Sequence, residues 1–286
     1  MKNQHAHHLL LLGLATLFIS TSGVLGKYIN LPTPLIIWFR SALAAILLFI
    51  FCKYRKLNLK IKSKRDLPTI ILGGLLLGTH WITYFLALKF SNVAIGMLSM
   101  FTFPVITALL EPFFTKSKRN PIHVLLGLMV LLGIYILAPE INFESTYLKG
   151  ILLGVFSALC YSLRNLILKR HVSQYDGTVL MMQQCIIVSF FLIPVLFNID
   201  IEKIQTELPF LLILGIVTTA LGHSLFISSL KHFSVSTASI IGSAQPIFGI
   251  IMAYFFLNEI PNINTFIGGS LILLTVFIES MRTSKR

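Results

Sequence analysis

GTHWITYFLALKFS, residues 78–91, closes an otherwise aliphatic run that begins at Leu67. A histidine, a tryptophan and a tyrosine fall within five positions of one another. Helical spacing puts His80 and Tyr84, and Trp81 and Tyr84, along one side. The run over 68–88 has the roughly 20 apolar residues that a helix needs to cross a bilayer core. At about 1.5 Å per residue, His80 lies roughly 18 Å along that helix, near the bilayer centre. An ionisable side chain at that depth faces a bundle interior or a wet cavity. The competing reading is an interfacial belt of Trp and Tyr at headgroup level. It suits Tyr84, near the end of the run, better than His80 and Trp81.

The rest of the 286-residue chain has the same character: 56% apolar, 12% charged, mean hydropathy +0.86. A soluble domain carries about 25% charged residues, and half that fraction leaves too little polar surface to meet water. The expected fold class is therefore all-α integral membrane, in contact with the lipid bilayer. Charged and Pro/Asn-rich breaks delimit ten transmembrane helices: 9–29, 33–52, 68–88, 92–114, 121–138, 148–168, 178–197, 208–229, 234–257 and 262–280. The N-terminal MKNQHAHHLLLLGLATLFIS resembles a secretory signal, but its apolar character continues to about Ile29 without a clean cleavage pattern, so it reads as an uncleaved first span.

Orientation follows from the longest hydrophilic break, KYRKLNLKIKSKRD (53–66), whose lysines and arginines place it in the cytoplasm. Ten spans then bring Lys2, Lys116, Lys118, Arg119, Lys169, Arg170, Lys231, Arg282, Lys285 and Arg286 to the same side. The opposite side receives only Lys27, Lys89, Lys149 and Lys203. Both termini are therefore expected to be cytoplasmic. This asymmetry also accounts for the net charge of +13 without a nucleic acid partner. Cys52, Cys160 and Cys185 fall in or beside apolar segments, form no C-x-x-C pair, and read as small packing residues.

An internal repeat is visible. Residues 72–136 match residues 142 positions later without a gap, at Gly73/Gly215, Lys89/Lys231, Pro104/Pro246, Asn120/Asn262, Gly127/Gly269 and several Leu, Ile and Phe pairs. Each half holds five spans, and an odd number turns the second half upside down relative to the first. Residues 1–140 and 146–286 thus read as two inverted five-helix repeats, the construction of many secondary transporters, with the solute site near the midplane.

On these residues the chain resembles the drug/metabolite transporter superfamily, in its EamA-like family. The resemblance is carried by WFRSALAA (38–45), YFLALKFSNVAIGMLSMFTFPVITALLEP (84–112), SLKHFSVSTASIIGSAQPIFGIIMAYFFLNEIPN (229–262) and TFIGGSLILLTVFI (265–278). One departure is clear. Where the family often has a Glu after the fourth span, this chain has TKSKRN (115–120), whereas the matching Glu259 is present. The resemblance implies a carrier of small metabolites in the cell inner membrane. Its central cavity would be lined mainly by the first, third, fourth, sixth, eighth and ninth spans.

The candidate substrate-binding residues are His80, Trp81, Tyr84, Phe101, Tyr161, His223, Gln245 and Arg40. His223 aligns with Trp81 in the repeat register, so two midspan histidines could bracket a central site, or each could simply bond a neighbouring carbonyl. Phe103, Gln183 and Gln184 extend the expected lining. Arg40 lies deep in its span, with few acids in the membrane to meet it, and guanidinium suits a carboxylate or phosphate. Arg164 is expected to snorkel to the cytoplasmic boundary. Glu111, beside Pro112, and Arg164 are the candidates for proton or charge coupling. Gly13, Thr16, Ser20 and Gly23, and the stripe Ser239, Ser243, Pro246, read as packing seams.

No metal site is expected, since two His and scattered Cys supply too few ligands, and no cofactor: G-x-x-x-x-G-K-[ST] is absent, which argues against direct ATP drive. The expected function is alternating-access transport of a small-molecule solute, by family analogy the export of amino acids or related compounds, by a monomer or weak dimer. Rival readings are an uptake or exchange carrier for a nucleotide-like or lipid-linked solute, and an integral-membrane lipid enzyme. The enzyme would need a tight cluster of acids, His or nucleophiles at one membrane face, which the scattered acids do not offer. The protein is read as not an enzyme.

Overall fold

A computed structural model describes residues 2–114, 121–137, 145–197, 199–233, 235–242 and 244–283. Lys116, Lys118, Arg119, Ser243, Lys285 and Arg286, and the side chain of Ser239, lie outside the described residues. In hydrocarbon every backbone polar group must be satisfied within the protein, which favours helices throughout, and the described residues are overwhelmingly helical. The helices are α1 (Lys2–Tyr28), α2 (Thr33–Tyr54), α3 (Leu67–Phe90), α4 (Val93–Met100), α5 (Phe103–Phe114), α6 (Pro121–Leu137), α7 (Thr146–His171) and α8 (Gly177–Phe191). There follow α9 (Ile201–Ile213), a π-helical segment (Leu214–His223), α10 (Ser224–Ser229), α11 (Val235–Gly242), α12 (Gln245–Leu257) and α13 (Ile263–Thr283). Among the described residues six stretches are long and apolar enough to cross a membrane, and four shorter apolar helices bring the set to ten, the number read from the sequence.

Helix starts are marked by side chains that answer the free N–H groups of a first turn. Asn92 accepts from Ile95 N–H at 2.8 Å, Asp176 from Thr178 N–H at 2.8 Å and Asp200 from Lys203 N–H at 3.2 Å. α12 stops at Asn258, in the left-handed conformation with φ 55°, a common helix terminator. α3 and α7 run side by side through the middle of the bundle, while α2 packs on α8, α6 on α13, and α1 on α12 and the π segment. The approach of α7 to α4 is close: a Cβ added at Gly154 would sit 2.7 Å from Ser99 Cβ.

Three departures from continuous helices position the site. The fourth span is interrupted between α4 and α5, and the ninth between α11 and α12. Pro104 and Pro246 are each the second residue of the new helix, where a missing N–H is harmless. Four residues before each proline lies the last residue of the preceding helix, Met100 or Gly242, whose carbonyl a helical proline ring would strike. Pro112 and Pro209 stay inside helices, so proline permits these breaks rather than dictating them. The third departure is the π segment, where the Thr219 hydroxyl donates to Leu214 O, five residues back, at 2.7 Å.

Two lysines hold helix ends at opposite ends of the bundle. Lys27 Nζ donates to Leu88 O at 2.8 Å, Lys89 O at 3.3 Å and Ser91 O at 2.7 Å, covering carbonyls that α3 leaves unpaired at its C-terminus. Lys169 Nζ donates to Leu230 O at 2.5 Å and Phe233 O at 2.7 Å, just past α10. Lys169, Leu230 and Phe233 each follow Lys27, Leu88 and Ser91 by 142 positions, the offset of the sequence repeat. Beside the Lys27 cap, Glu259 Oε2 accepts from Val93 N–H at 2.7 Å, tying the turn after α12 to the start of α4. Burial raises the Glu259 carboxyl above its ordinary value, opposed by the Val93 N–H and the nearby Lys27 charge.

Two sequence expectations need correction. Arg164 does not snorkel: it is fully buried, seven residues before the end of α7, because Gln184 and Asn165 accept its hydrogen bonds within the bundle. Gly13 belongs to no close seam, since a Cβ there would meet nothing within 4 Å. Gly23 does, facing Met97 and Tyr84, and Thr16 and Ser20 are buried. The three cysteines are free and buried, as small packing residues should be.

The lysine caps predict selective loss of stability. Lys27→Met and Lys169→Met should each cost roughly 1.5–3 kcal/mol, the usual worth of hydrogen bonds to a charged group. The exposed Lys149 changed to Met should stay within about 0.5 kcal/mol of the parent. Detergent melting, followed by labelling of the buried cysteines as they become exposed, measures all three. Equal melting of the three variants would contradict the caps.

Candidate functional site

The interrupted and π-helical segments converge at mid-bundle on a small cavity. Its wall is made by Ile19 and Ser22 of α1, His80, Trp81 and Tyr84 of α3, Met100 of α4, Phe101 and Phe103 at the fourth-span break, Tyr161 of α7, His223 of the π segment and Gln245 of α12. The free volume is about 20 Å³, room for about one water molecule. The wall draws on the first, third, fourth, sixth, eighth and ninth spans, the same set that the family resemblance implies.

His80, Trp81, Tyr84, Phe101, Tyr161, His223 and Gln245, seven of the eight sequence candidates, meet on this wall. The helical spacing of His80, Trp81 and Tyr84 accounts for their shared face, and all three are buried. Ser157 on α7 donates its hydroxyl proton to His80 O at 2.9 Å, and its oxygen lies 2.7 Å from His80 Nδ1. With the hydroxyl proton already committed, Ser157 Oγ acts as the acceptor and Nδ1 as the protonated nitrogen.

The His80 ring is tilted against Tyr161 at 4.6 Å between centroids and stacked with Tyr84 at 6.0 Å. Tyr161 meets Phe103 edge-on at 5.0 Å, and Phe103 meets Phe101 edge-on at 5.3 Å. On the other side Trp81 meets His223 edge-on at 5.4 Å. Trp81 Nε1 and His223 Nδ1 are buried without a partner. The alternative that each histidine merely satisfies itself locally therefore describes His80, through Ser157, and not His223.

The remaining candidates lie off the wall. Arg40, fully buried, sits behind Trp81 with its Cζ 4.0 Å from the indole centroid. Arg164 lies behind Tyr161, with Cζ 5.8 Å from that ring. Gln184 does not line the cavity because its Oε1 accepts from Arg164 Nε and Nη2, and Gln183 instead reaches Leu59 O at 3.4 Å. Glu111 is half-buried toward the Lys169 end of the bundle, where its charge acts on that lysine. Among the described residues no group of three His, Cys, Asp or Glu side chains could hold a metal ion.

Sequence reasoning missed Ser157, Ser22 and Met100. A serine within the apolar stretch of α7, which also holds Ser162, was a usable signal for the first. Ser22 was hidden in the small-residue seam of α1, and a methionine in an apolar run carries no signal of its own. A larger hollow of about 300 Å³ lies between α2, α8, the π segment and α10, with an almost wholly apolar lining that includes Leu47, Phe51 and Leu221. Phe51 and Leu221 are exposed, so this hollow opens outward.

The fold is that of a polytopic membrane protein, and the comparisons make it a transporter. The chain belongs to the EamA-like transporter family, whose model matches residues 8–138 and again 148–281. It is 27% identical to the uncharacterized transporter YxxF of Bacillus subtilis, over 86% of this chain and 80% of that one. It is 22% identical to the pseudopaline exporter CntI of Pseudomonas aeruginosa, over 90% and 88%. It is 26% identical to an S-adenosylmethionine uptake transporter of Rickettsia conorii, over 91% and 87%. A solved crystal structure shares the fold with a TM-score of 0.73 at 18% identity, covering 98% of this chain and 99% of that one.

The burial of Trp81 is directly measurable, because the chain has two tryptophans, Trp38 and Trp81. In a Trp38→Phe protein, Trp81 should emit at the short wavelength of a dry indole and resist quenching by iodide in the resting state. Red-shifted, iodide-sensitive emission would contradict the closed cavity.

Proposed function

We propose that the protein is an inner-membrane exporter of amino acids or related metabolites that works by alternating access around the mid-bundle cavity. The observation that carries the reading is the enclosed cavity itself, walled by six spans drawn from both halves of the chain and holding buried polar atoms without partners. Soluble cores rarely leave such atoms unanswered, and pockets of aromatic walls with a few placed polar groups are typical of small-molecule sites. His80, Trp81, Tyr84, Phe101, Tyr161, His223 and Gln245 are assigned to the solute. The resting volume is too small for one, so entry requires the walls to part.

The two halves, residues 1–140 and 146–286, are proposed to be inverted repeats. Supporting this are the doubled family match, the breaks at Pro104 and Pro246, and the lysine caps offset by 142 positions. In such a construction the halves exchange conformations, and the cavity opens first to one side and then to the other. The basic loop 53–66 then places both termini in the cytoplasm. Relatives named for export and for uptake both occur; export of amino-acid-like solutes is the reading adopted here, by a monomer or weak dimer that carries its solute without converting it. Charge coupling through Glu111 and Arg164 would act from the bundle end and from behind Tyr161.

Counterflow of labelled amino acids in proteoliposomes tests this reading. At least one solute should cross faster than in protein-free vesicles. Trp81→Phe, which removes the indole N–H with some loss of volume, and His223→Gln should slow it by roughly tenfold or more while still melting cooperatively. Absence of flux across the whole panel would overturn the carrier reading, and unchanged flux in both variants would move the site elsewhere.

A further inference from the structure

Two guanidinium groups are fully buried in this bundle, and neither has a carboxylate partner among the described residues. An arginine keeps its charge at any physiological pH, and a buried cation without a counter-ion carries a desolvation penalty of several kcal/mol. The two are not equivalent.

Arg164 is partnered by neutral groups at every guanidinium nitrogen. Its Nε and Nη2 converge on Gln184 Oε1 at 2.9 and 2.7 Å, and its Nη1 donates to Asn165 Oδ1 at 2.9 Å. Arg40 is not. Its Nε donates to Thr219 Oγ1 at 3.0 Å, its Nη1 makes a long 3.5 Å contact with Ser22 Oγ, and its Nη2 has no partner. The indole lying 4.0 Å from its Cζ also has an unanswered N–H, at Trp81 Nε1, and His223, edge-on to that indole, has an unanswered Nδ1.

Two of these unmet groups share one chemistry. Arg40 Nη2 and Trp81 Nε1 can only donate, so their missing partner is an acceptor. A neutral carbonyl would satisfy a donor and leave the charge uncompensated, whereas a carboxylate supplies both and matches the guanidinium fork. Ser22 and Trp81 touch Arg40 and also form part of the cavity wall, so an acidic group at that end of the cavity lies next to the guanidinium once the indole moves aside.

We propose that Arg40 is the acid-recognition residue of the carrier: the solute's carboxylate is its missing partner, and Trp81 screens the guanidinium while the cavity is empty. This rests on the carrier reading of the same cavity. It narrows the solute class to compounds with a free carboxylate and makes neutral analogues of the same shape poor substrates. Arg164, partnered at every guanidinium nitrogen, is assigned no part in this selection.

The test compares each transported amino acid with its primary amide, which keeps the side chain and removes the negative charge. In counterflow the wild-type protein should prefer the acid by roughly tenfold or more, as expected of a site whose buried polar groups go unpaired with the wrong ligand. Arg40→Gln should erase the preference, and Arg40→Lys should keep part of it. Should Arg40→Gln fail to fold, titration of Trp81 fluorescence in the Trp38→Phe protein reads the same preference as a ratio of binding constants. Equal handling of acid and amide by the wild type, or a preference that survives Arg40→Gln, overturns the proposal and leaves the carrier reading standing. Absence of flux for acids and amides alike overturns both.

Discussion

The core of a bilayer offers no water to backbone polar groups, and this constraint governs the whole architecture. The last carbonyls of a helix must find donors inside the protein or come to the surface. Here Lys27 supplies them for α3 at one end of the bundle, and Lys169 for the turn after α10 at the other. Both lysines sit at the end of a long helix that passes the cavity, α1 or α7; Lys27 fixes the end of α3, which lines the cavity, and Lys169 the end of the span that carries His223. Under the proposed inverted relation, the two caps are the same contact seen from opposite sides of the membrane, and alternating access would require them to loosen in turn.

The same constraint explains where irregular backbone is allowed. The breaks at 101–102 and at 244 and the π segment 214–223 all occur at mid-bundle, next to the cavity. Irregular backbone at membrane depth is tolerated where protein or a cavity covers it. Thr219 serves both needs: its hydroxyl answers the Leu214 carbonyl and accepts the Arg40 Nε–H. The π segment, the buried cation and the Trp81 wall are thus parts of one connected arrangement.

Much of this was legible in the sequence, for physical reasons that differ between residues. His80, Trp81, Tyr84 and His223 were readable because polar groups in apolar spans are costly, so each stands out and points inward. The ten helices followed from hydropathy and charge alone. Arg164 misled because distance from a helix end says nothing of the neighbours waiting there; Gln184 and Asn165 come from a different span and from the adjacent position. Arg40 was rightly expected deep in the bundle, but its place behind Trp81 depends on how α2 packs on α3. The helix breaks were marked by Pro104 and Pro246, yet Pro112 and Pro209 show that proline alone does not settle such a break. Lys27 and Lys169 share the repeat offset, but Lys27 lies before the aligned block that begins at residue 72 and Lys169 before its counterpart, which begins at residue 214.

The central claim is that solute binds in the mid-bundle cavity and not in the outward-facing hollow between α2, α8 and α10. An experimental structure determined with a transported acid bound tests it most directly. Solute density is expected between Trp81, Tyr161 and His223, with the acidic group on Arg40 and the indole displaced. Density confined to the hollow beside Leu47, Phe51 and Leu221, with the central cavity unchanged, would contradict it.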